Sequence, residues 1–100
     1  MEDMEVNSRE WSLHMFTNNV KHMDWCDFVV GIYHGKDSDS GTAWELGYAY
    51  GTNKPVILIH VGEDSNLMCH EGAFVNLTMN DLKTYDFIDM KSSFYHGRMF

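Results

Sequence analysis

Basic residues are scarce in this chain. Seven lysines and arginines stand against fifteen aspartates and glutamates, for a formal net charge of −8. No basic stripe forms, which argues against a nucleic-acid or anionic-membrane surface and leaves a neutral, cationic or small partner. No apolar run approaches the ~20 residues of a membrane-spanning helix, and nothing in the sequence reads as a signal peptide. Cysteine is nearly absent. Cys26 and Cys69 make no CxxC pair, so reduced thiols and a cytoplasmic location are expected rather than a disulfide framework. The six histidines form no HExxH and no paired ligand spacing; "CHE" at 69–71 is a weak cluster, and no metal is expected. The motifs GxxxxGK[ST], GxGxxG and GxSxG are missing as well.

Hydrophobic residues are plentiful, at 44% with 14% aromatics, so the chain is expected to fold. Its hundred residues suit a single domain spanning 1–100, with the acidic, patternless stretch 1–7 as a frayed lead-in. Ser8 is placed to cap a helix in which Trp11, Met15 and Phe16 recur at helical spacing, and a second helical stretch runs through Val20 and Met23. "CDFVVGIY" (26–33) and "KPVILIHV" (54–61) read as strands buried on both faces. Between them lie a polar loop, "HGKDSDSG" (34–41), and a helix from Thr42 to Gly51, with Gly51 or Asn53 ending it and Pro55 beyond. A loop at 62–66, a helical turn from Leu67, a third strand at 73–78 and a turn at 79–85 complete the pattern. The last residues show no period, and the eight methionines are scattered as core filler.

Strand, helix, strand with both strands buried is a βαβ unit, so a parallel α/β sheet is the expected fold. Ligands in such sheets sit beyond the carboxyl ends of the strands, where loop 34–41 and the start of the following helix fall. Glu45 is the only charge between Ser40 and Asn53. The helix around it has no polar face for it to join, so a buried or half-buried carboxylate with a chemical role is expected rather than a solvated one. Asp39 precedes it by six residues; helix capping explains Asp39 as readily, and Asp37 or Ser40 can cap equally well. Paired carboxylates, one a nucleophile and one a proton donor, are what glycosidic cleavage needs, and Asp39 with Glu45 meets that requirement. "SGT" (40–42) at the helix start is either an anion cradle including Gly41 or a plain cap. Gly47 and Gly51 suggest close packing of the helix on the sheet.

The stretch "DSDSGTAWELGYAYGTNKPVILI" resembles the signature of the nucleoside 2-deoxyribosyltransferases. The likeness extends upstream through "FTNNVKHMDWCDFVVGIY" and downstream through "NLM" (66–68) and "FYHG" (94–97), covering about residues 11–100. It implies a flavodoxin-like, Rossmann-like three-layer parallel α/β sheet. It also implies a homo-oligomer with active sites shared between subunits, and transfer of 2-deoxyribose between nucleobases through a sugar–enzyme ester, with no cofactor or metal. The substrates implied are a 2-deoxynucleoside and a free nucleobase. By the same resemblance Glu45 matches the nucleophile of the "ELGYA" motif. Asp39 matches the aspartate that contacts the base and assists its departure. Asn66 matches the asparagine donated to a neighbour's sugar site, and Phe100 stands where family members place an aromatic C-terminal residue, often tyrosine, near the active site.

Two departures accompany the likeness. The family's base-contacting aspartate in "NND" corresponds to Asn19 of "TNNV", an amide that carries no charge. Family members also open with a strand, helix and second strand, and no counterpart precedes residue 11 here. The expectation is therefore a sheet lacking the usual first strands, with an open edge beside 26–33. A nucleoside 5′-monophosphate N-glycosidase of the same superfamily, using "SGT" as a phosphate pocket, and a non-catalytic nucleoside-binding or assembly domain are the competing readings.

Overall fold

The computed structural model describes residues 5–37 and 40–100. Helix α1 (Arg9–Trp25) begins at Ser8, whose Oγ accepts the Trp11 N–H at 3.2 Å. The two helical stretches expected here are one 17-residue helix. Thr17, Asn18 and Asn19 interrupt the apolar spacing, but none disrupts the backbone ladder as proline or glycine would. Strand β1 (Val29–Tyr33) follows, then a single 3-10 turn at Gly35–Asp37 and helix α2 (Ser40–Gly51). Asn53, with φ 62°, takes the left-handed conformation that ends this helix. Strand β2 (Val56–His60), a two-residue strand β3 (Asp64–Ser65), helix α3 (Leu67–Gly72), strand β4 (Val75–Thr78), helix α4 (Met79–Leu82) and a two-residue strand β5 (Arg98–Met99) complete the chain. A reciprocal cap starts α4, Thr78 Oγ1 accepting from Asp81 N–H while the Asp81 carboxylate accepts from Thr78 N–H.

Strands β1, β2 and β4 form one parallel sheet in that order, Val29 level with Val56 and Ile57 level with Val75. One face buries Tyr33, Val56 and Leu58 against Leu46 and Ala49 of α2, with Cys69 and Ala73 alongside. The opposite face buries Ile57, Val75 and Leu77 beneath Phe28, Leu82, Tyr85 and Met90. Helical layers on both faces of a parallel sheet are the flavodoxin-like α/β arrangement that the sequence implies. No helix among the described residues is long and apolar enough to cross a membrane. Both cysteines are free and half-buried.

Three expectations need correction. β1 is not covered on both faces: Val30 is 45% and Ile32 55% exposed. The segment closing that face packs on Ile57, Val75 and Leu77 and does not extend over the edge strand. Gly47 and Gly51 are not points of close packing, since a Cβ on either would meet nothing within 4 Å. The tight contact lies in the strand instead, where a Cβ on Gly31 would come 3.2 Å from Leu46 Cδ2. Finally, the supposed loop at 62–66 and the patternless tail pair with each other, Asp64 with Arg98 and Ser65 with Met99, in a second small parallel sheet.

Equilibrium urea unfolding separates the two faces of the sheet. Leu58→Ala, at a fully buried position, should cost about 2–5 kcal/mol. Ile32→Ala, at a mostly exposed one, should cost less than about 1 kcal/mol in the isolated chain. A loss at Ile32 as large as that at Leu58 would mean another chain covers the edge.

Candidate active site

Helix α2 starts at Ser40, two residues earlier than its sequence suggests, so Glu45 lies more than a full turn inside it. The side chain is half-buried and makes no hydrogen bond or ion pair to another described residue. Its surroundings on α2 are aromatic. Trp44 stacks on Tyr48 with centroids 5.5 Å apart and meets the edge of Phe16 on α1 at 5.4 Å. The Tyr48 hydroxyl donates to Asp24 Oδ1 at 2.5 Å, tying α2 to α1. That bond to a carboxylate raises the Tyr48 phenol above its ordinary pKa. A carboxylate thus sits beside an aromatic wall with its acceptor capacity unspent.

The remaining expected site residues divide into groups. Asn19 lies on α1 one turn beyond Phe16, exposed. Gly41 is the second residue of α2, exposed at its amino end. Asp39 lies outside the described residues. Asn66 and Phe100 are brought together elsewhere. The Leu67 N–H donates to Phe100 O at 3.0 Å and the Phe100 N–H donates to Ser65 O at 3.0 Å, so the last residue is laid along β3 beside Asn66. Lys36 reaches over the Phe100 ring, its Nζ 5.6 Å from the centroid, a contact of about 0.5–1 kcal/mol at an exposed site.

Asn66, Phe100, Lys36 and Tyr33 line a cavity of about 620 Å³. Helix α2 contributes Ser40, Ala43, Leu46, Gly47 and Tyr50 to its wall, and Glu45 is not among the lining residues. At ~100° per residue, Glu45 points roughly 160° away from the mean direction of those side chains. Within one chain, then, the helix separates the Glu45 side from the Asn66–Phe100 side.

Asn66 also has a local task. It caps α3, its Oδ1 accepting the Met68 N–H at 2.9 Å, while its own N–H donates to the Tyr33 hydroxyl at 3.1 Å. Tyr33 is the last residue of β1 and almost wholly buried; burial is the main cause that pushes its phenol upward. Tyr33, Lys36 and Glu71 are cavity residues to which the sequence assigns no role, Glu71 appearing only in the weak "CHE" cluster. Only the rule that ligands gather beyond strand carboxyl ends points toward the first two. Among the described residues no group of three His, Cys, Asp or Glu side chains is placed to hold a metal ion.

Comparison with known proteins gives concordant results. The family profile described as nucleoside 2-deoxyribosyltransferase matches residues 1–82. The chain is 30% identical over 99 residues to the nucleoside deoxyribosyltransferase of Lactobacillus johnsonii, a match covering 95% of this chain and 66% of the relative. It is 27% identical over 99 residues to that of Lactobacillus leichmannii, covering 63% of that protein. A solved 2-deoxyribosyltransferase structure from the psychrotolerant bacterium Bacillus psychrosaccharolyticus superposes with a TM-score of 0.85 at 36% identity, covering 94% of this chain and 70% of that one. The chain thus spans about two-thirds of the length of the curated relatives it matches.

The capping role of Asn66 can be separated from any ligand role by two substitutions. Asn66→Ala should lower thermal stability by about 1 kcal/mol through loss of the α3 cap, whereas Asn66→Asp should leave it nearly unchanged. Thermal unfolding of the two variants measures this, and equal losses would show that capping is not what Asn66 contributes to the fold.

Proposed function

Because the chain belongs to the nucleoside 2-deoxyribosyltransferase family, we propose that it moves a 2-deoxyribosyl group from a 2-deoxynucleoside to a free nucleobase, in cytoplasmic nucleoside salvage. Glu45 attacks C1′ of the sugar, forming an ester as the bond from C1′ to the base nitrogen breaks. Asp39 holds the departing base and supplies its proton. A second base then attacks C1′, the ester breaks, and Glu45 is regenerated as the carboxylate. If water takes the place of that base, the outcome is hydrolysis. Asn19 borders the base, Gly41 the opening of the pocket at the amino end of α2, and Asn66 and Phe100 the sugar.

The observation that carries this reading is Glu45 itself: a half-buried carboxylate, in an otherwise uncharged helix, with no described partner. Such a group gains its partner only when substrate binds. The separation of Glu45 from the Asn66–Phe100 cavity around α2 favours sites completed between two copies of the chain, and therefore a homo-oligomer. The exposed apolar residues Val30, Ile32 and Trp44 supply surface that such assembly would bury.

Three experiments test the proposal. Incubation with a 2-fluoro-substituted 2-deoxynucleoside should leave a sugar adduct on Glu45 by mass spectrometry, and Glu45→Ala should lose on the order of a thousandfold or more in base exchange. An adduct elsewhere, or undiminished turnover, would sink the assignment. Asp39→Asn should slow natural nucleosides more than substrates carrying good leaving groups; equal losses would favour the capping role instead. For sharing between subunits, separately inactive Glu45→Gln and Asn66→Asp chains should recover activity when unfolded and refolded together. No recovery, with mixed assembly verified by mass, would put both residues in one chain's site.

A further inference from the structure

The carboxyl end of β2, level with Tyr33 of β1, holds an arrangement that the proposed chemistry does not use. His60, the last residue of β2, and His70 of α3 are both buried. The ring of Tyr95 lies against both, 4.5 Å from the His60 centroid and 4.7 Å from that of His70. The Tyr95 hydroxyl donates toward Glu63 O at 2.8 Å and Arg98 O at 2.6 Å, on either side of the β3–β5 pairing. Gly97 makes this possible, since a Cβ there would collide with the Tyr95 hydroxyl. The Arg98 guanidinium also pairs with Asp64 at 3.1 Å and Glu63 at 3.1 Å. From this point the chain runs through β5 to Phe100, hydrogen-bonded beside Asn66.

Resting on the functional reading above, we infer that Tyr95 is a positioning residue: lodged against both His60 and His70, it anchors the C-terminal segment so that Phe100 is delivered to the Asn66–Lys36 cavity. Among the described residues, the other restraints on Phe100 are its backbone hydrogen bonds to Ser65 and Leu67 and the Lys36 contact. Its ring is partly exposed, and β5 is only two residues long with both side chains exposed. A two-residue ladder with exposed charge pairs adds little by itself, so the half-buried Tyr95 ring against the two buried histidines is what fixes the segment's position.

The anchor is built for a neutral His60. Asn76 Nδ2 donates to His70 O and Ser93 O, which leaves Asn76 Oδ1 as the acceptor, and His60 Nε2 donates to it at 2.8 Å. His60 Nδ1 is then a buried lone pair with no partner. Protonation there adds a charge and an unpaired donor beneath the Tyr95 ring. Burial, with some help from His70, holds the His60 pKa below the ordinary histidine value against the opposing Asn76 bond. The sign follows: the stabilisation is complete above about 6.5 and is lost as pH falls from there through the lowered folded value. The titratable and charged groups around the stack are Tyr33 from β1, whose ring meets the edge of His60 at 5.8 Å, and Glu71, 3.5 Å from His70 Nε2. Glu63, Asp64 and Arg98 surround the Tyr95 hydroxyl, and Asp81 and His96 share with His60 the rim of a neighbouring cavity. Among the described residues no carboxylate lies in hydrogen-bond reach of the buried His60 Nδ1.

Amide hydrogen exchange in the intact chain tests this directly. The Phe100 and Leu67 N–H groups report docking of the segment, and Leu58 in β2 reports global opening. Tyr95→Ala should lower protection at Phe100 and Leu67 by about tenfold or more and leave Leu58 unchanged. Tyr95→Phe, which keeps the stack, should fall between the two. Gly97→Ala, whose Cβ would collide with the Tyr95 ring as well as its hydroxyl, should reproduce the loss if Tyr95→Ala fails to fold. In the wild type, lowering pH from about 7.5 to about 5.5 should release the same two amides after correction for intrinsic exchange, and His60→Gln should flatten that response. Full protection in both Tyr95→Ala and Gly97→Ala, or an unaltered pH response in His60→Gln, would overturn the anchor. Where the wild type turns over, Tyr95→Ala must lower kcat/KM, and an unchanged value would overturn the positioning role. The exchange readouts need no turnover, so an inert wild type would count against the proposed activity alone.

Discussion

Burial of β2 is the constraint on which everything else hangs. All five of its residues, Val56 to His60, are buried, and it is the only strand of the three hydrogen-bonded on both sides within the main sheet. A strand so enclosed needs apolar cover on both faces, because the backbone ladder satisfies its polar groups but the side chains still have to leave water. Helices α2 and α3 meet that need on one face and the segment 82–90 on the other. The helix carrying Glu45 is held in place by its contact with this strand and with Gly31 of β1, so the position of the carboxylate follows from the packing of the sheet.

The same constraint accounts for what the fold leaves open. Cover extends over β2 and β4 but stops short of the outer side of β1, where Val30 and Ile32 remain exposed. It also leaves α2 with two unlike flanks. One, toward α1, holds Glu45 beside Trp44 and Tyr48; the other, toward α3, opens on the cavity that Asn66 and Phe100 share. A helix of this diameter keeps residues on opposite flanks from meeting one ligand within a single chain. Exposed apolar edge, open cavity and divided site are consistent with one another if copies of the chain associate.

The polar end of the sheet follows a different logic. His60 ends β2 where the apolar core gives way to hydrogen-bonding groups, and Asn76, Ser93 and the backbone of α3 satisfy all but a few of the buried atoms there. The last residues of the chain fasten onto this network through Tyr95. The route from the core to the rim of the cavity therefore runs through buried polar contacts rather than hydrophobic burial, which makes it sensitive to protonation in a way that the apolar core is not.

The parallel α/β architecture was legible in the sequence because its signals are local. Continuous apolar strands, a helix between them, the Ser8 cap and the turn residues around Gly51 and Asn53 each act within a few residues. Glu45 stood out for the same reason, a single charge in an uncharged helix, and the resemblance carried by "ELGYA" strengthened it. Tertiary structure alone decided which residues share a site. The pairing of β3 with β5, the laying of Phe100 beside Asn66, the packing of Tyr95 against His60 and His70 and the recruitment of Tyr33 and Lys36 to the cavity join positions distant in sequence or outside any periodic pattern. Two-residue strands leave no hydrophobic period to read, and a ring stack depends on where two histidines point after the sheet has formed. The exposed face of β1 was misread for a related reason: an apolar run records that a strand prefers burial, whereas the extent of the layer above it is set by how far the rest of the chain reaches.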